Sequence, residues 1–295
     1  MSSFLRRFRA WLSQPRLVVQ DRIVILSDID PCEDPIFIIG LHRSGTSLMR
    51  RVLNAHSNIA CPPESFFMAH YAKMLMDTKV AAGYRGFGNE TDLMRADLAR
   101  KASSLHEGLR IARGKRIWAD KTPGYIAVLP ELKALFPGAR FIMAYRHPFD
   151  VAESIRQRGW SLSGQGSATF EGILAHMKSQ YAMQIAFEKE NPQICRRSRY
   201  EDLVAAPEAQ IRGLMEWLGE SFEPAQLEHH KALHNFGTED PIARGTKGFV
   251  PSTDNWLSWS AADTLRAEAS LGVACADLGY KTARDSRRGS VASTL

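Results

Sequence analysis

Cysteine is scarce and scattered: Cys32, Cys61, Cys195 and Cys275 are the only four in 295 residues, and no two are paired in spacing. That excludes a disulfide scaffold or a zinc module and leaves free thiols in a reducing compartment. No run of about 18 apolar residues occurs, so no segment reads as a bilayer span. No internal repeat is present, which excludes solenoids and propellers. Neither sign of charge dominates: 38 Lys and Arg against 32 Asp and Glu leave a net charge of +6. The arginines are scattered rather than gathered with stacking aromatics, which argues against nucleic acid as partner. A phosphate-rich small molecule or an anionic membrane surface remains. The opening MSSFLRRFRAWLSQP is broken by Arg6, Arg7 and Arg9. It lacks a small-residue cleavage site, so a secretory leader is not expected and a cytoplasmic location is.

What is present reads as one α/β domain. Buried strands are predicted at 36–39, 116–119, 140–145 and 194–199, with edge strands at 17–19 and 23–26. Their apolar runs lack clean alternation, as parallel strands covered on both faces do. Helices are predicted at 47–54, 126–135, 148–157 and 209–218, giving a three-layer sandwich around a mainly parallel sheet. Residues 64–113 read as a helical insertion with a glycine-rich break at 83–89, and 161–169 as a Gly/Ser loop. The domain is expected over 31–280, followed by a flexible tail at 281–295. Ahead of it, residues 1–30 hold an amphipathic segment. Phe4, Leu5, Phe8, Trp11 and Leu12 share a face beside arginines, so residues 1–12 could pack on the domain or touch an anionic membrane.

The most informative segment is IFIIGLHRSGTSLMRRVL. A strand ending at Gly40, a short loop and a helix form the context in which backbone N–H groups bind phosphate. Gly40 and Gly45 have the spacing of a nucleotide-binding loop, but Thr46 and Ser47 follow where that loop has lysine. Loss of the lysine, with a cation at Arg43, argues against an ordinary ATPase or kinase. A second segment, ARFIMAYRHPFDVAESIRQ, sets Arg146 at a strand's carboxyl end with Ser154 eight residues on. That edge is where open α/β sheets bind ligands.

Together these segments resemble the sulfotransferases that use 3′-phosphoadenosine-5′-phosphosulfate (PAPS), over about residues 35–259. RSGTSLMRRVLNAH is similar to that family's 5′-phosphosulfate loop, above all in the protein-tyrosine and carbohydrate branches, and YRHPFDVAESI to its 3′-phosphate site. WADKTPGYI resembles a segment of bacterial members, and RYEDLVAAPE a strand-to-helix turn after the cofactor site. The resemblance implies a P-loop-like fold and an in-line transfer of a sulfuryl group from PAPS to a hydroxyl-bearing acceptor. It implies that Arg43, Ser44, Gly45, Thr46 and Ser47 hold the 5′-phosphosulfate, Arg146 and Ser154 the 3′-phosphate, and Tyr200 the adenine. Glu64 is the implied base and Lys121 the lysine that steadies the transferring group. Arg244 and Lys247 match, loosely, a basic-glycine segment over the 3′-phosphate. His230 and His234 have i, i+4 spacing, but no third ligand lies near. A solvated helix face is expected there, and no metal. The competing readings are a small-molecule kinase of the same fold and a non-catalytic nucleotide-binding module.

Overall fold

The computed structural model describes residues 31–88, 91–159, 169–234, 237 and 245–282. The amphipathic segment, both early edge strands, most of the Gly/Ser loop, Arg244 and residues 283–295 lie outside them.

The sheet has five strands: β1 (Ile36–Ile39), β2 (Ile59–Ala60), β3 (Ile117–Lys121), β4 (Arg140–Tyr145) and β5 (Cys195–Arg199). Their order is β2-β3-β1-β4-β5 and every pairing is parallel. β1 and β3 are buried along their whole length and β4 at every residue after Arg140, so both faces are covered. Period-2 geometry then divides the residues. Phe37, Ile39, Phe141, Met143 and Trp118 enter one core, and Ile36, Ile38, Ile142, Ile117 and Ala119 the other.

The second core is covered by α1 (Thr46–Asn54) through Met49, Val52 and Leu53, and by a later helix at Pro207–Leu218. The first is covered by the insertion, α2 (Met68–Met76), α3 (Thr78–Gly86) and α4 (Thr91–Ala112), and by α5 (Leu129–Leu135), α6 (Pro148–Arg158) and α7 (Phe170–Glu190). After β5 come α8 (Tyr200–Ala205), α9 (the Pro207–Leu218 helix) and α10 (Ala261–Leu278). The fold is the predicted three-layer α/β sandwich.

Several boundaries differ from expectation. The predicted helix at 126–135 is a 3₁₀ turn, Pro123–Val128, followed by α5. Pro130 lacks an N–H and sits in the first turn of a restarted helix. The insertion breaks at Asp77, whose carboxylate caps α3 by accepting from the amides of Lys79 and Val80, while Gly83 and Gly86 stay within that helix. The long helices α7 and α10 and the two-residue β2 were not among the predicted elements.

Candidate active site

Each strand delivers one site residue just beyond, or at, its carboxyl end. Arg43 follows β1, Glu64 follows β2, Lys121 ends β3, Arg146 follows β4 and Tyr200 follows β5. This is the edge, and β1–β4 the region of strand-order reversal, where open parallel sheets take ligands.

The loop after β1 is shaped by two glycines. A Cβ on Gly40 would lie 2.5 Å from the Ala144 carbonyl oxygen, so only glycine lets the chain pass the end of β4. Gly45 caps α1 at φ 85°, and a Cβ there would sit 2.7 Å from Tyr200 Cδ2. Arg43 itself is left-handed at φ 73°, an uncommon conformation for a residue with a side chain. Ser44 is buried, and its amide donates to the Leu41 carbonyl (3.1 Å), closing the turn. The first amides of α1 have no intrahelical acceptor and face outward with the helix dipole.

Arg146 holds this loop. It is 5% exposed and donates through Nη1 to the Arg43 carbonyl (3.0 Å) and through Nη2 to Ser252 O (2.5 Å). Its guanidinium lies 5.1 Å from the Tyr200 ring centroid. Ser154 accepts from Arg43 Nε (2.9 Å). Arg146 and Ser154, predicted to pinch one phosphate directly, are thus linked through Arg43, and Ser154 is not on the cavity wall.

A cavity of about 430 Å³ opens against these groups. Its wall includes Arg43, Gly45, Thr46, Ser47, Arg51, Arg146, Tyr200 and His229, closed by the segment from Thr246 to Ser252. Every second carbonyl of that segment accepts from a wall side chain. Arg51 Nη1 donates to Thr246 O (3.4 Å), His229 Nε2 to Gly248 O (3.2 Å), Tyr200 Oη to Val250 O (2.7 Å) and Arg146 Nη2 to Ser252 O. Asp150 anchors the far end by accepting from the amides of Asp254 and Asn255 (3.0 and 2.7 Å). Lys247 falls between two docked carbonyls, is exposed, and is not on the wall. Arg51, His229 and Ser252 were not singled out from sequence. Only the alternation of docked carbonyls marks them, and that is a tertiary pattern.

Glu64 and Lys121 form an ion pair beside the loop, off the cavity wall, with Lys121 2% exposed. Glu64 stands four residues ahead of α2, outside the helix. His42 lies within electrostatic reach of Glu64, Lys121 and Arg43. Burial pushes its imidazole below the usual range, Glu64 opposes that shift, and Lys121, His176 and Arg43 add to it. His56 faces elsewhere: Nδ1 accepts from the Asn58 amide (3.0 Å) and Nε2 donates to Ser221 O (2.8 Å).

The His230/His234 pair does not share a helix face. A 3₁₀ turn ends at Lys231, His230 is exposed, and His234 is buried with Nε2 donating to His229 O (2.6 Å). Among the described residues no cluster of three or more His, Cys, Asp or Glu is placed to hold a metal. The four cysteines are free, and burial pushes the Cys61 and Cys195 thiols up to about 12.

Comparison with known proteins agrees with this geometry. The model of the "Sulfotransferase family" matches residues 35–224. A putative protein-tyrosine sulfotransferase of Caenorhabditis briggsae is 24% identical over 259 residues, 85% of this chain and 90% of its own. Protein-tyrosine sulfotransferase A of Caenorhabditis elegans is 27% identical over 255 residues, 83% of this chain and 67% of its own. Among solved structures, the sulfotransferase domain from the curacin biosynthetic pathway superposes with a TM-score of 0.59 at 22% identity, covering 86% of this chain and 100% of that domain. A mouse sulfotransferase complexed with PAP gives 0.54 at 13% identity over 85% and 86% of the two chains. Those two likenesses are of fold. The family match spans the strand–loop–helix at Gly40, the Glu64–Lys121 pair, Arg146 and Tyr200, and on it the chain belongs to the sulfotransferase family, enzymes of sulfuryl transfer.

Proposed function

We propose that the protein transfers a sulfuryl group from PAPS to a hydroxyl of its acceptor, with Glu64 as the base. The observation that carries the donor assignment is the cavity wall. It presents Arg43, Arg51 and Arg146, and its described residues include no carboxylate. A triphosphate-binding loop would need its lysine and an acid to hold magnesium; a bisphosphate nucleotide needs separated cations instead. The residues also fit the donor at an atom. Arg146 Nε is buried without a hydrogen-bond partner among the described residues, so one donor of the fork is left for an anion.

When bound, PAPS supplies a sulfuryl group activated by its phosphate leaving group. Gly45, Thr46 and Ser47, at the N-terminus of α1, orient the 5′ end, and Arg43 stabilises charge there. Arg146 holds the 3′-phosphate, and Tyr200 forms the floor beneath that guanidinium. Glu64 takes the proton of the acceptor hydroxyl as its oxygen bonds to sulfur and the sulfur–oxygen bond to the phosphate breaks. In this reading Lys121, paired with Glu64, neutralises the leaving oxygen.

Calorimetry tests the donor. Adenosine 3′,5′-bisphosphate should bind without metal and about tenfold to a hundredfold more tightly than ADP, the worth of a charged hydrogen bond to a buried anion. Equal affinity for the two, or binding of ATP only with Mg²⁺, overturns the reading in favour of the kinase-like alternative.

A further inference from the structure

Glu64 and Lys121 are two side chains from separate segments, and their contact depends on how those segments are joined. The residues beside each of them are bonded to one another through Asp120, which is 0% exposed. One chain of donors starts at the first residue of α2. The Met68 amide donates to Tyr125 Oη (3.1 Å), Tyr125 Oη to Ser65 Oγ (2.6 Å), and Ser65 Oγ to Asp120 Oδ2 (2.5 Å). A second chain starts at the neighbour of the base. The Ser65 amide donates to Thr122 Oγ1 (3.1 Å), and Thr122 Oγ1 to Asp120 Oδ1 (2.8 Å). His106 Nε2 lies 3.0 Å from the same Oδ2, with its ring 4.9 Å from that of Trp118.

The direction of these bonds is fixed by their ends. An amide can only donate, and an ionised carboxylate can only accept. Both chains therefore run toward Asp120, and each hydroxyl between them has one orientation. Such a directed, buried network is rigid because reversing any member leaves a buried group unsatisfied. Its effect is local: Ser65, next to Glu64, is held by both its amide and its hydroxyl to the residues on either side of Lys121.

From this we infer that Asp120 is a positioning residue for the transfer step, acting through Ser65 and Thr122 to hold the base and the lysine in contact. The inference rests on Glu64 being the base. Loosening the clamp should displace the pair without touching the donor cavity, whose wall includes none of these residues. A displacement of about 1 Å in such a pair costs on the order of a hundredfold in rate.

The test compares Asp120→Asn, Ser65→Ala and Ser65→Thr with the parent enzyme. Labelled PAPS is the donor, p-nitrophenol and a simple alcohol are acceptors, and adenosine 3′,5′-bisphosphate affinity is measured in parallel. Asp120→Asn turns one acceptor into a donor and breaks one chain, so turnover at saturating donor should fall ~10–100-fold with affinity within about twofold. Ser65→Ala should fall likewise and Ser65→Thr, which keeps the hydroxyl, should recover much of the loss. In a Glu64→Gln background Asp120→Asn should add little, because the residue acts through the base. Full additivity there, or parent-level turnover in both Asp120→Asn and Ser65→Ala, overturns the inference. If Asp120→Asn does not fold, the Ser65 pair decides alone. Failure of the parent enzyme to consume labelled PAPS with either acceptor would instead sink the donor reading, and this inference with it.

Discussion

The guanidinium of Arg146, at the end of β4, donates to the backbone carbonyl of Arg43, in the loop that follows β1. The residue proposed to hold one end of the donor thus also fixes the backbone that holds the other. The same guanidinium reaches Ser252 at the end of the covering segment. Loop, strand end and cover are joined at one side chain.

Substitution of Arg146 should therefore cost more than a charge. Arg146→Lys keeps the charge but cannot serve the Arg43 carbonyl, Ser252 and an anion from one planar fork. Affinity for adenosine 3′,5′-bisphosphate should fall at least tenfold in Arg146→Lys and further in Arg146→Ala. Calorimetry on folded variants measures this, and near-parent affinity in Arg146→Lys would place the 3′-phosphate elsewhere.

Gly45→Ala probes the loop from its other side. The left-handed conformation at φ 85° costs a side-chain-bearing residue about 1–2 kcal/mol, and the new methyl would meet Tyr200 at 2.7 Å. Tyr200 must move, and with it the bond to Val250 O and the face under Arg146. The expected outcome is a lower melting temperature together with loss of donor affinity. A shift in melting temperature alone would mean that Tyr200 only packs.

How much of this could be read beforehand follows from the range of the interactions. The loop at Gly40–Ser47 was legible because strand, turn and helix are contiguous, and its glycines are required by contacts at 2.5 and 2.7 Å. Arg146 was legible from its place at a strand end. Glu64 and Lys121 came from resemblance, and their ion pair could not be foreseen, since 57 residues separate them. The wall formed by Arg51 and His229 was missed for the same reason: its partners lie 195 and 19 residues away, on a segment with no periodic signal. Lys247 was assigned from a basic-glycine pattern, yet alternate docking of its neighbours' carbonyls leaves it exposed.

His229 gives a pH dependence with a definite sign. Burial holds its imidazole down to about 4; the bond to Gly248 O opposes this, and Arg51, His230 and His234 add to it. The unfolded chain takes up a proton near pH 6.5, the folded one only near 4. Stability is therefore full above about 6.5 and falls as pH drops toward 4, by up to ~3 kcal/mol from this group. Urea unfolding at pH 7.5 and pH 5 should show that loss in the parent and a smaller one in His229→Gln. Equal losses in both would assign the acid sensitivity to other groups.

Glu64→Gln tests the base itself. The amide keeps the size of the side chain and can still accept from Lys121, but it cannot take a proton near neutral pH. Glu64 is off the cavity wall, so affinity for adenosine 3′,5′-bisphosphate should be preserved. Turnover should fall by ~10²–10⁴, the usual share of general-base catalysis. The loss should depend on the acceptor, because a phenol gives up its proton more readily than an aliphatic alcohol. Parallel assays with p-nitrophenol and a simple alcohol should therefore show the larger fall for the alcohol. An equal fall for both would mean that Glu64 acts on the acceptor by placing it rather than by deprotonating it. Unchanged turnover on the alcohol would reduce Glu64 to the partner of Lys121 and make His42, which lies within electrostatic reach of both, the next base to test.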